Sequence, residues 1–342
     1  MSLPIPYDYP PMEAELSSRL PEGDGWLYEP KWDGFRCIAF RDGDGVELRS
    51  KAGKPLARYF PEVVRTMEEV AERRFVIDGE IVIAVDGALS FDDLLQRIHP
   101  AASRVKKLAT ETPAEFIAFD LLVDAGGRDL TGRPLHERRA ALETFARKAL
   151  AKHPRIHLSP STDDLETARE WLEGAAGGLD GVMAKQADAP YASGERTAML
   201  KVKRTRTADC VVGGFRWGKG GKHVGSLLLG LYGADGKLHH VGFCSGLNAA
   251  RRGEAKERVL ALRGGEGFSG RAPGGPSRWR KEGSGEWEPL RPELVVEVEY
   301  DHFNQGRFRH GTRFARWRPD KAAKQCRLAQ VEREGENALK ML

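Results

Sequence analysis

Three apolar stretches with the composition of buried strands are each interrupted by charged residues, and this feature limits the possible folds most. The stretches are FVIDGEIVIAV (Phe75–Val85), EFIAFDLLV (Glu115–Val123) and LDGVMAKQ (Leu179–Gln186). Short runs rich in Val, Ile and Phe that are bounded by polar clusters predict strands. The sequence therefore predicts buried strands that carry polar interruptions, and these interruptions have to be considered together.

Helical patterns lie between these strands in the first two hundred residues. Apolar residues at helical spacing predict helices over residues 60–74, 90–98, 135–150 and 163–175. Ser90 is a candidate N-cap for the second of them, with Asp93 at the third helical position. The chain is therefore of the α+β class.

The pattern changes after about Arg206. Residues 210–246 are glycine-rich, with short apolar runs and an Asp235-Gly236 turn, which is typical of an antiparallel meander. A helix is predicted over residues 249–263, a loop over 264–285 and a strong strand over 293–303. Strands, one helix and further strands suit a small closed β-barrel such as an OB-fold, which often binds nucleic acid. We therefore expect domains over residues 1–206 and 207–325, and a polar helical tail over 326–342.

Composition excludes several classes of protein. The 342 residues suit about two domains, and the formal net charge is only +4. Two local basic stretches, residues 201–222 and 307–318, are better suited to recruit a polyanion than the net charge is. The four cysteines are far apart and predict neither zinc nor disulfides. The N-terminus lacks the features of a signal peptide, and no apolar run approaches ~20 residues, so we expect no membrane span.

Several short motifs surround the polar interruptions. They are KWDGFR with Lys31, Asp33 and Arg36, LRSKAG with Arg49, VIDGE with Asp78 and Glu80, FDLL with Phe119, LDGVMAK with Asp180 and Lys185, MLKVKR with Lys201 and Lys203, and RFARWRPDK with Arg313, Arg316, Arg318, Asp320 and Lys321. Each motif alone has an ordinary structural explanation, such as a turn, an edge strand protected by lysines or a solvated basic face. Their joint order and spacing are much harder to obtain by chance.

In this order the motifs resemble those of the covalent nucleotidyltransferases, the ATP-dependent DNA ligases and mRNA capping enzymes. The chain is most similar to the small stand-alone bacterial ATP-dependent DNA ligases, which are related to the ligase module of the bacterial end-joining ligase D. The similarity is carried by EPKWDGFR, DGVMAK and RHGTRFARWRPDK and covers about residues 10–325. It implies a nucleotidyltransferase (adenylation) domain of antiparallel sheets with helices, followed by a C-terminal OB-fold domain.

The resemblance implies a role for each motif residue. Lys31 takes AMP from ATP, forming a phosphoramidate, and the AMP then passes to the 5′-phosphate of a nick, which the 3′-hydroxyl attacks. An amine nucleophile has to be unprotonated, and nearby cations favour that state. The implied contacts are Glu29 with the adenine amino group, Arg36 and Glu80 with the ribose, Phe119 stacked on adenine, Lys201 and Lys203 with the α-phosphate, Arg49 with the 5′-phosphate of the nick, and Arg316, Arg318, Asp320 and Lys321 with the pyrophosphate.

The implied cofactors are ATP and Mg²⁺, for which Mn²⁺ can substitute. Glu80 and Asp180 are the expected metal ligands, although the family usually has glutamate at the position of Asp180. Asp33 is interpreted as a structural residue that ties the loop backbone. The nine histidines are scattered without metal-ligand spacing.

Two alternatives stay open on the residues alone. One is an RNA ligase or a GTP-using capping enzyme, which nucleotide choice would distinguish. The other is a degenerate, non-catalytic nucleic-acid-binding protein, which the presence of the lysines and Glu80 disfavours. For the ligase we expect a cytoplasmic, nucleoid-associated monomer that acts in DNA repair. It would bind nicked duplex DNA weakly and with strong salt dependence, and a separate repair polymerase could be its partner.

Overall fold

The computed structural model describes residues 3–85, 87–173, 179–204, 206–274, 286–304, 306–331 and 338–342. The chain divides into two compact units. The first unit contains Met1–Arg204 and Glu334–Leu342, and the second contains Thr205–Arg333. Among the described residues, none of the helices has both the length and the apolar character needed to cross a bilayer.

The described residues of the first unit form five α-helices and eleven strands. The helices are α1 (Pro61–Glu69), α2 (Phe91–Arg97), α3 (Ala102–Glu111), α4 (Leu135–Phe145, continued by a π-helical turn over Ala146–Leu150) and α5 (Leu165–Glu173). The strands are β1 (Glu15–Ser17), β2 (Trp26–Lys31), β3 (Phe35–Asp42), β4 (Gly45–Ser50), β5 (Arg74–Val82), β6 (Ala84–Val85), β7 (Ala88–Leu89), β8 (Glu115–Val123), β9 (Ile156–Leu158), β10 (Gly181–Gln186) and β11 (Met199–Lys203).

Two larger sheets organise this unit. One has the strand order β1-β11-β10-β2 and the other has the order β4-β3-β5-β8-β9. Most neighbouring strands are antiparallel, as the sequence predicts, but β1 pairs with β11 and β8 with β9 in parallel. The three interrupted apolar stretches form β5 and β8 in one sheet and β10 in the other, so the prediction of strands there is confirmed.

The smaller of these sheets has one apolar and one polar face, because successive residues of a strand point to opposite sides. Tyr28, Val182 and Val202 lie on the apolar face and pack against Ala168 of α5. The alternate positions of β2, β10 and β11 carry charged or polarisable groups, namely Glu29, Lys31, Met183, Lys185, Lys201 and Lys203. This polar face supplies most of the pocket described below.

The five-stranded sheet is buried on both faces. One face packs with α1 and α4 into a core that includes Phe75, Ile77 and Phe116. The other face joins Ile38 to Met199 of β11 in a second cluster, through which the two sheets pack together. The charged interruptions therefore lie where the polar face of one sheet meets the other sheet.

The local helix predictions hold with small changes of length. The Ser90 side chain accepts a hydrogen bond from the Asp93 backbone N–H at 3.4 Å, which confirms the cap of α2. Helix α1 ends at Glu69, because Val70 is extended and the chain then enters β5. Helix α3, whose N-cap position is Ala101 without a capping side chain, was not expected from the sequence.

The second unit is a curled sheet with one long helix. Its elements are β12 (Arg206–Trp217), β13 (Val224–Tyr232), β14 (Leu238–Cys244), α6 (Ala249–Ala261), β15 (Glu288–Pro289), β16 (Val295–Tyr300), β17 (Phe303–Asn304), β18 (Arg307–Phe308) and β19 (Arg313–Trp317). The sheet order is β14-β13-β12-β16-β19, with β15 paired to β12. Its core runs from Val211 in β12 to Cys326 and Val331, so this unit extends beyond residue 325.

The expected closed barrel is corrected by this topology. Within the described part of the chain, the edge strands β14 and β19 form no ladder with each other. Their ends meet at a single bridge between Cys244 and Thr312, where the Thr312 N–H donates to the Phe243 carbonyl at 3.1 Å. Since Thr312 directly precedes β19, the two edge strands of the sheet come into contact at one end but do not pair along their length.

The C-terminal segment returns to the first unit. Residues Ala338–Met341 form a 3₁₀ turn. Leu339 and Met341 pack against a small apolar cluster that contains Trp32 and Leu179. These two cluster residues directly precede Asp33 and Asp180, so the tail packs next to the segments that carry these acids. The sequence alone gave the tail no role.

Candidate active site

A pocket of about 220 Å³ lies over the polar face of the smaller sheet of the first unit. It brings together six residues to which the sequence analysis gives a role, although they lie within a span of 173 positions of the chain. These lining residues are Glu29, Lys31, Arg36, Glu80, Phe119 and Lys201. Met183, Lys185 and Lys51 also line it.

Lys31 is the last residue of β2, and backbone pairing fixes its surroundings. Its carbonyl accepts the Asp180 N–H at 2.9 Å, and its side-chain amine contacts the Asp180 carboxylate. The Lys203 amine lies 3.6 Å from the same carboxylate. Gly181 pairs with both lysines across the sheet. The sequence predicted the cations around Lys31, and the structure adds an acid in direct contact.

Gly181 is required at this position. Its φ is +146°, and an added Cβ would lie 2.0 Å from the Val202 carbonyl oxygen. That distance is impossible for real atoms, so any side chain would push β10 away from β11. The glycine therefore keeps Lys31, Asp180 and Lys203 close together.

Arg36 and Asp78 form the buried polar centre of the larger sheet. Arg36 donates from Nε and Nη2 to the two Asp78 oxygens at 2.6 and 2.5 Å. The Tyr191 hydroxyl donates to Asp78 at 2.5 Å. Asp78 has no exposed surface, so these three bonds compensate its burial. Arg36 also lies over the Phe119 ring, with 4.4 Å from Cζ to the centroid.

Glu80 stands opposite Arg36 in the β3–β5 ladder and lines the pocket. Burial raises the pKa of Glu80 to about 7, although the charges of Arg36 and Lys31 act in the opposite direction. A carboxyl group that changes charge near neutral pH can release its proton when a cation arrives. Glu80 is therefore poised to bind a cation at neutral pH.

Lys185 extends the pocket floor, and the sequence gave it no role. Its amine donates to Glu29 Oε2 at 2.8 Å and lies 4.7 Å from the Phe119 centroid. Glu29 and Lys185 are both almost fully buried. A signal was available, because Lys185 follows Asp180 by five positions within the LDGVMAK motif.

Within the LRSKAG motif, Lys51 lines the pocket and Arg49 does not. Arg49 is engaged by Glu47 at 3.1 Å and by the Gly53 carbonyl at 3.3 Å, and it does not line the pocket. Lys51, two positions later in LRSKAG, does line it. Burial and the charges of Lys51 and Lys31 lower the pKa of Lys201. Lys51 is therefore a pocket cation that the sequence analysis overlooked.

The last motif lies in the second unit and forms a local ion-pair cluster there. Asp209 of β12 accepts from Arg318 and from Lys321, each at 2.8 Å. Hydrogen bonds from Arg318 also lower the pKa of Asp320 to about 2. Arg316 donates to Glu297 at 2.5 Å. Asp209, which anchors the cluster, was not singled out in the sequence.

The residues of the pocket fit a divalent cation that is held largely by substrate phosphates. Within the described ranges, no three acids, histidines or cysteines are grouped as a complete metal site. Mg²⁺ commonly uses one or two carboxylates together with water and phosphate oxygens. Glu80 and Asp180 provide two carboxylates beside Lys31, with a titratable Glu80 among them.

A lysine in contact with an acid, with further cations and an aromatic ring in the same pocket, is the arrangement expected of a covalent nucleotidyltransferase. Two family models match the chain, the ATP dependent DNA ligase domain over residues 11–203 and the ATP dependent DNA ligase C terminal region over residues 220–321. The chain belongs to the ATP-dependent DNA ligase family. The resemblance predicted from the motifs is thus confirmed.

Three relatives illustrate the match. The chain is 47% identical to DNA ligase C2 of Mycolicibacterium smegmatis over 97% of this chain and 96% of that protein. It is 31% identical to the multifunctional non-homologous end joining DNA repair protein LigD of Mycobacterium tuberculosis, over 86% of this chain and 36% of that protein. The crystal structure of the M. tuberculosis LigD ligase domain has a TM-score of 0.51 at 29% identity and covers 96% of this chain and 99% of that domain.

Proposed function

We propose that the protein seals 3′-hydroxyl/5′-phosphate nicks in duplex DNA with ATP, through an AMP bound covalently to Lys31. The observation that supports this most is the position of the Lys31 amine, in contact with Asp180 and in one pocket with Glu29, Arg36, Phe119 and Lys201. Membership of the DNA ligase family makes DNA the expected substrate.

In the first step, the unprotonated Lys31 amine attacks the α-phosphorus of ATP. A nitrogen–phosphorus bond forms, the bond to the bridging oxygen breaks, and pyrophosphate leaves while the amine loses a proton. Lys201 and Lys203 face the charge that develops on the α-phosphate. Asp180, in contact with the amine, is the nearest acceptor for its proton.

The nucleoside is held by the remaining lining residues in this proposal. Glu29 accepts from the adenine amino group, Phe119 stacks on the base, and Arg36 and Glu80 contact the ribose. Glu80 and Asp180 would hold Mg²⁺ or Mn²⁺, and such an ion would neutralise phosphate charge and favour the unprotonated amine. Glu80 lines the pocket and Asp180 contacts the Lys31 amine, which supports this assignment.

In the later steps AMP moves from Lys31 to the 5′-phosphate, and the 3′-hydroxyl then attacks that phosphate and releases AMP. We assign the 5′-phosphate contact to Lys51 together with Arg49, because Lys51 reaches the pocket and Arg49 is engaged by Glu47. Arg316, Arg318, Asp320 and Lys321 would orient the pyrophosphate in the first step. Arg318 and Lys321 are held by ion pairs with Asp209, and Arg316 is held by one with Glu297.

The cellular role is part of the same proposal. A relative is named as a DNA repair protein of non-homologous end joining. We therefore place this ligase in repair, as a cytoplasmic, nucleoid-associated monomer that works beside a separate polymerase. Contacts of its basic stretches with DNA phosphates would make nick binding strongly dependent on salt.

The test is a nucleotidylation assay. Purified protein is freed of bound AMP with pyrophosphate and mixed with Mg²⁺ and α-labelled ATP, beside Lys31→Ala and, as a matched control, Lys106→Ala on the exposed face of α3. We expect a labelled protein band for wild type and the control, none for Lys31→Ala, and discharge of the label by a nicked duplex. Labelling by α-labelled GTP instead would identify a capping-type enzyme, and no labelling by either would refute the proposal.

A further inference from the structure

Glu29 lies between two buried cations that come from different parts of the first unit. Its Oε2 accepts from Lys185 at 2.8 Å, and its Oε1 lies 3.9 Å from Nη1 of Arg139 on α4. All three side chains are at least nine-tenths buried. A distance of 3.9 Å is a charge contact and not a hydrogen bond. Among the described residues, nothing donates a hydrogen bond to Oε1.

Arg139 is fixed from behind, so its approach to Glu29 is imposed by the fold. Its Nη2 donates to the Ser159 carbonyl and its Nε to Glu143, both at 2.8 Å. Its Nη1 is buried and has no hydrogen-bond partner in the described part of the chain. An unsatisfied buried guanidinium nitrogen is costly, typically about 1–3 kcal/mol. Such a cost is retained more readily where the group serves a ligand site.

We propose that Lys185 and Arg139 are positioning residues that hold the Glu29 side chain with Oε1 turned to the base, and thereby select adenine over guanine nucleotides. This inference rests on the proposed function, since it requires the base of ATP to lie at Glu29. It goes further by assigning base selection to two residues, one of which lies outside every motif.

The selection follows from hydrogen-bond chemistry. An ionised carboxylate only accepts hydrogen bonds. The 6-amino group of adenine donates, whereas the 6-oxo group of guanine accepts and meets the carboxylate with lone pair against lone pair. Lys185 occupies Oε2 and so leaves Oε1 for the base. Without these two contacts, nothing would hold Oε1 of Glu29 toward the base, and the selection would be lost.

The test is the ratio of the second-order rate constants for Lys31 labelling with ATP and with GTP. We would measure it in single-turnover experiments for wild type, Lys185→Met, Lys185→Arg, Arg139→Met and Glu29→Gln. Because both nucleotides are measured on one preparation, any unfolded fraction cancels from the ratio. We expect the ratio to fall at least about ten-fold in Lys185→Met, Arg139→Met and Glu29→Gln, and to be largely kept in Lys185→Arg.

Arg138→Met is the matched control. Arg138 is the adjacent residue, is equally buried, and pairs with Asp120 at 2.9 Å, away from the pocket lining. It should lower thermal stability without changing the ratio. The inference is overturned if Arg139→Met and Glu29→Gln keep the wild-type ratio within about two-fold while ATP still labels the protein. If neither nucleotide labels wild type, the proposed function fails first, so the two failures are distinguishable.

Discussion

Replacement of Asp78 by Asn tests whether the buried polar centre of the larger sheet is an energetic requirement. Asp78 is fully buried and accepts three hydrogen bonds, two from Arg36 and one from Tyr191. Removal of one partner from a buried ion pair costs about 3–5 kcal/mol, because the other charge is left uncompensated. The Arg36 side chain keeps 19% of its surface exposed, so water offsets part of that cost. We expect a loss near the lower limit, about 3 kcal/mol.

The expected shift can be read from thermal denaturation. For a unit of this size, 1 kcal/mol lowers the melting temperature by about 2–4 °C, so the variant should melt about 6–12 °C below wild type. Circular dichroism follows the transition. Asp44→Asn is the matched control, since Asp44 is 90% exposed and should change stability by about 0.5 kcal/mol or less. A shift below about 2 °C in Asp78→Asn would show that Arg36 needs no buried counter-charge, and the reasoning would be refuted.

Three further predictions concern single residues. Burial raises the pKa of Glu80 from 4.5 to about 7. Its contribution to the free energy of unfolding is therefore full below pH 4.5 and declines as the pH rises through about 7, by up to about 3 kcal/mol. In Glu80→Gln this titration is absent, so the melting temperature should vary less between about pH 5 and 8 than it does in wild type. Gly181→Ala forces a Cβ to 2.0 Å from a carbonyl oxygen of the neighbouring strand and should reduce Lys31 labelling at least about ten-fold. Gly246→Ala, with nothing within 4 Å, should label normally. Asp209→Asn removes the negative charge that pairs with Arg318 and Lys321 and should lower the urea midpoint of the second unit by the equivalent of about 2 kcal/mol. An unchanged midpoint would contradict a stabilising ion pair.

Much of the fold could be predicted because its signals are local. The strands β5, β8 and β10 follow from short β-branched runs, and the cap of α2 follows from Ser90 and Asp93 alone. The nucleophile that we propose, Lys31, could equally be named from the sequence, since a few residue types around it carry the motif. Helix α3 was missed because its N-terminus has no capping side chain, so the usual start signal is absent.

The features that the sequence did not reveal depend on distant pairing. Lys185 meets Glu29 across 156 positions, and no local pattern encodes that contact. No local pattern encodes the contact of Arg139 with Glu29 either, because it depends on how α4 packs on the sheet. The expectation of a closed barrel was wrong because closure depends on the pairing of β14 with β19, and the described residues of these strands meet at a single bridge. Composition indicates that strands exist, whereas the pairing of the outermost strands is a long-range property.

The return of the C-terminal segment to the first unit has a consequence for biosynthesis. The second unit is an insertion within the first, so the ribosome completes β11 long before it adds Leu339 and Met341. The interval covers about 135 residues and lasts roughly 7–27 s at bacterial elongation rates. During that time Trp32 and Leu179 have an uncovered apolar side. A nascent chain therefore has the strands of both sheets before Leu339 and Met341 can cover the Trp32 and Leu179 cluster.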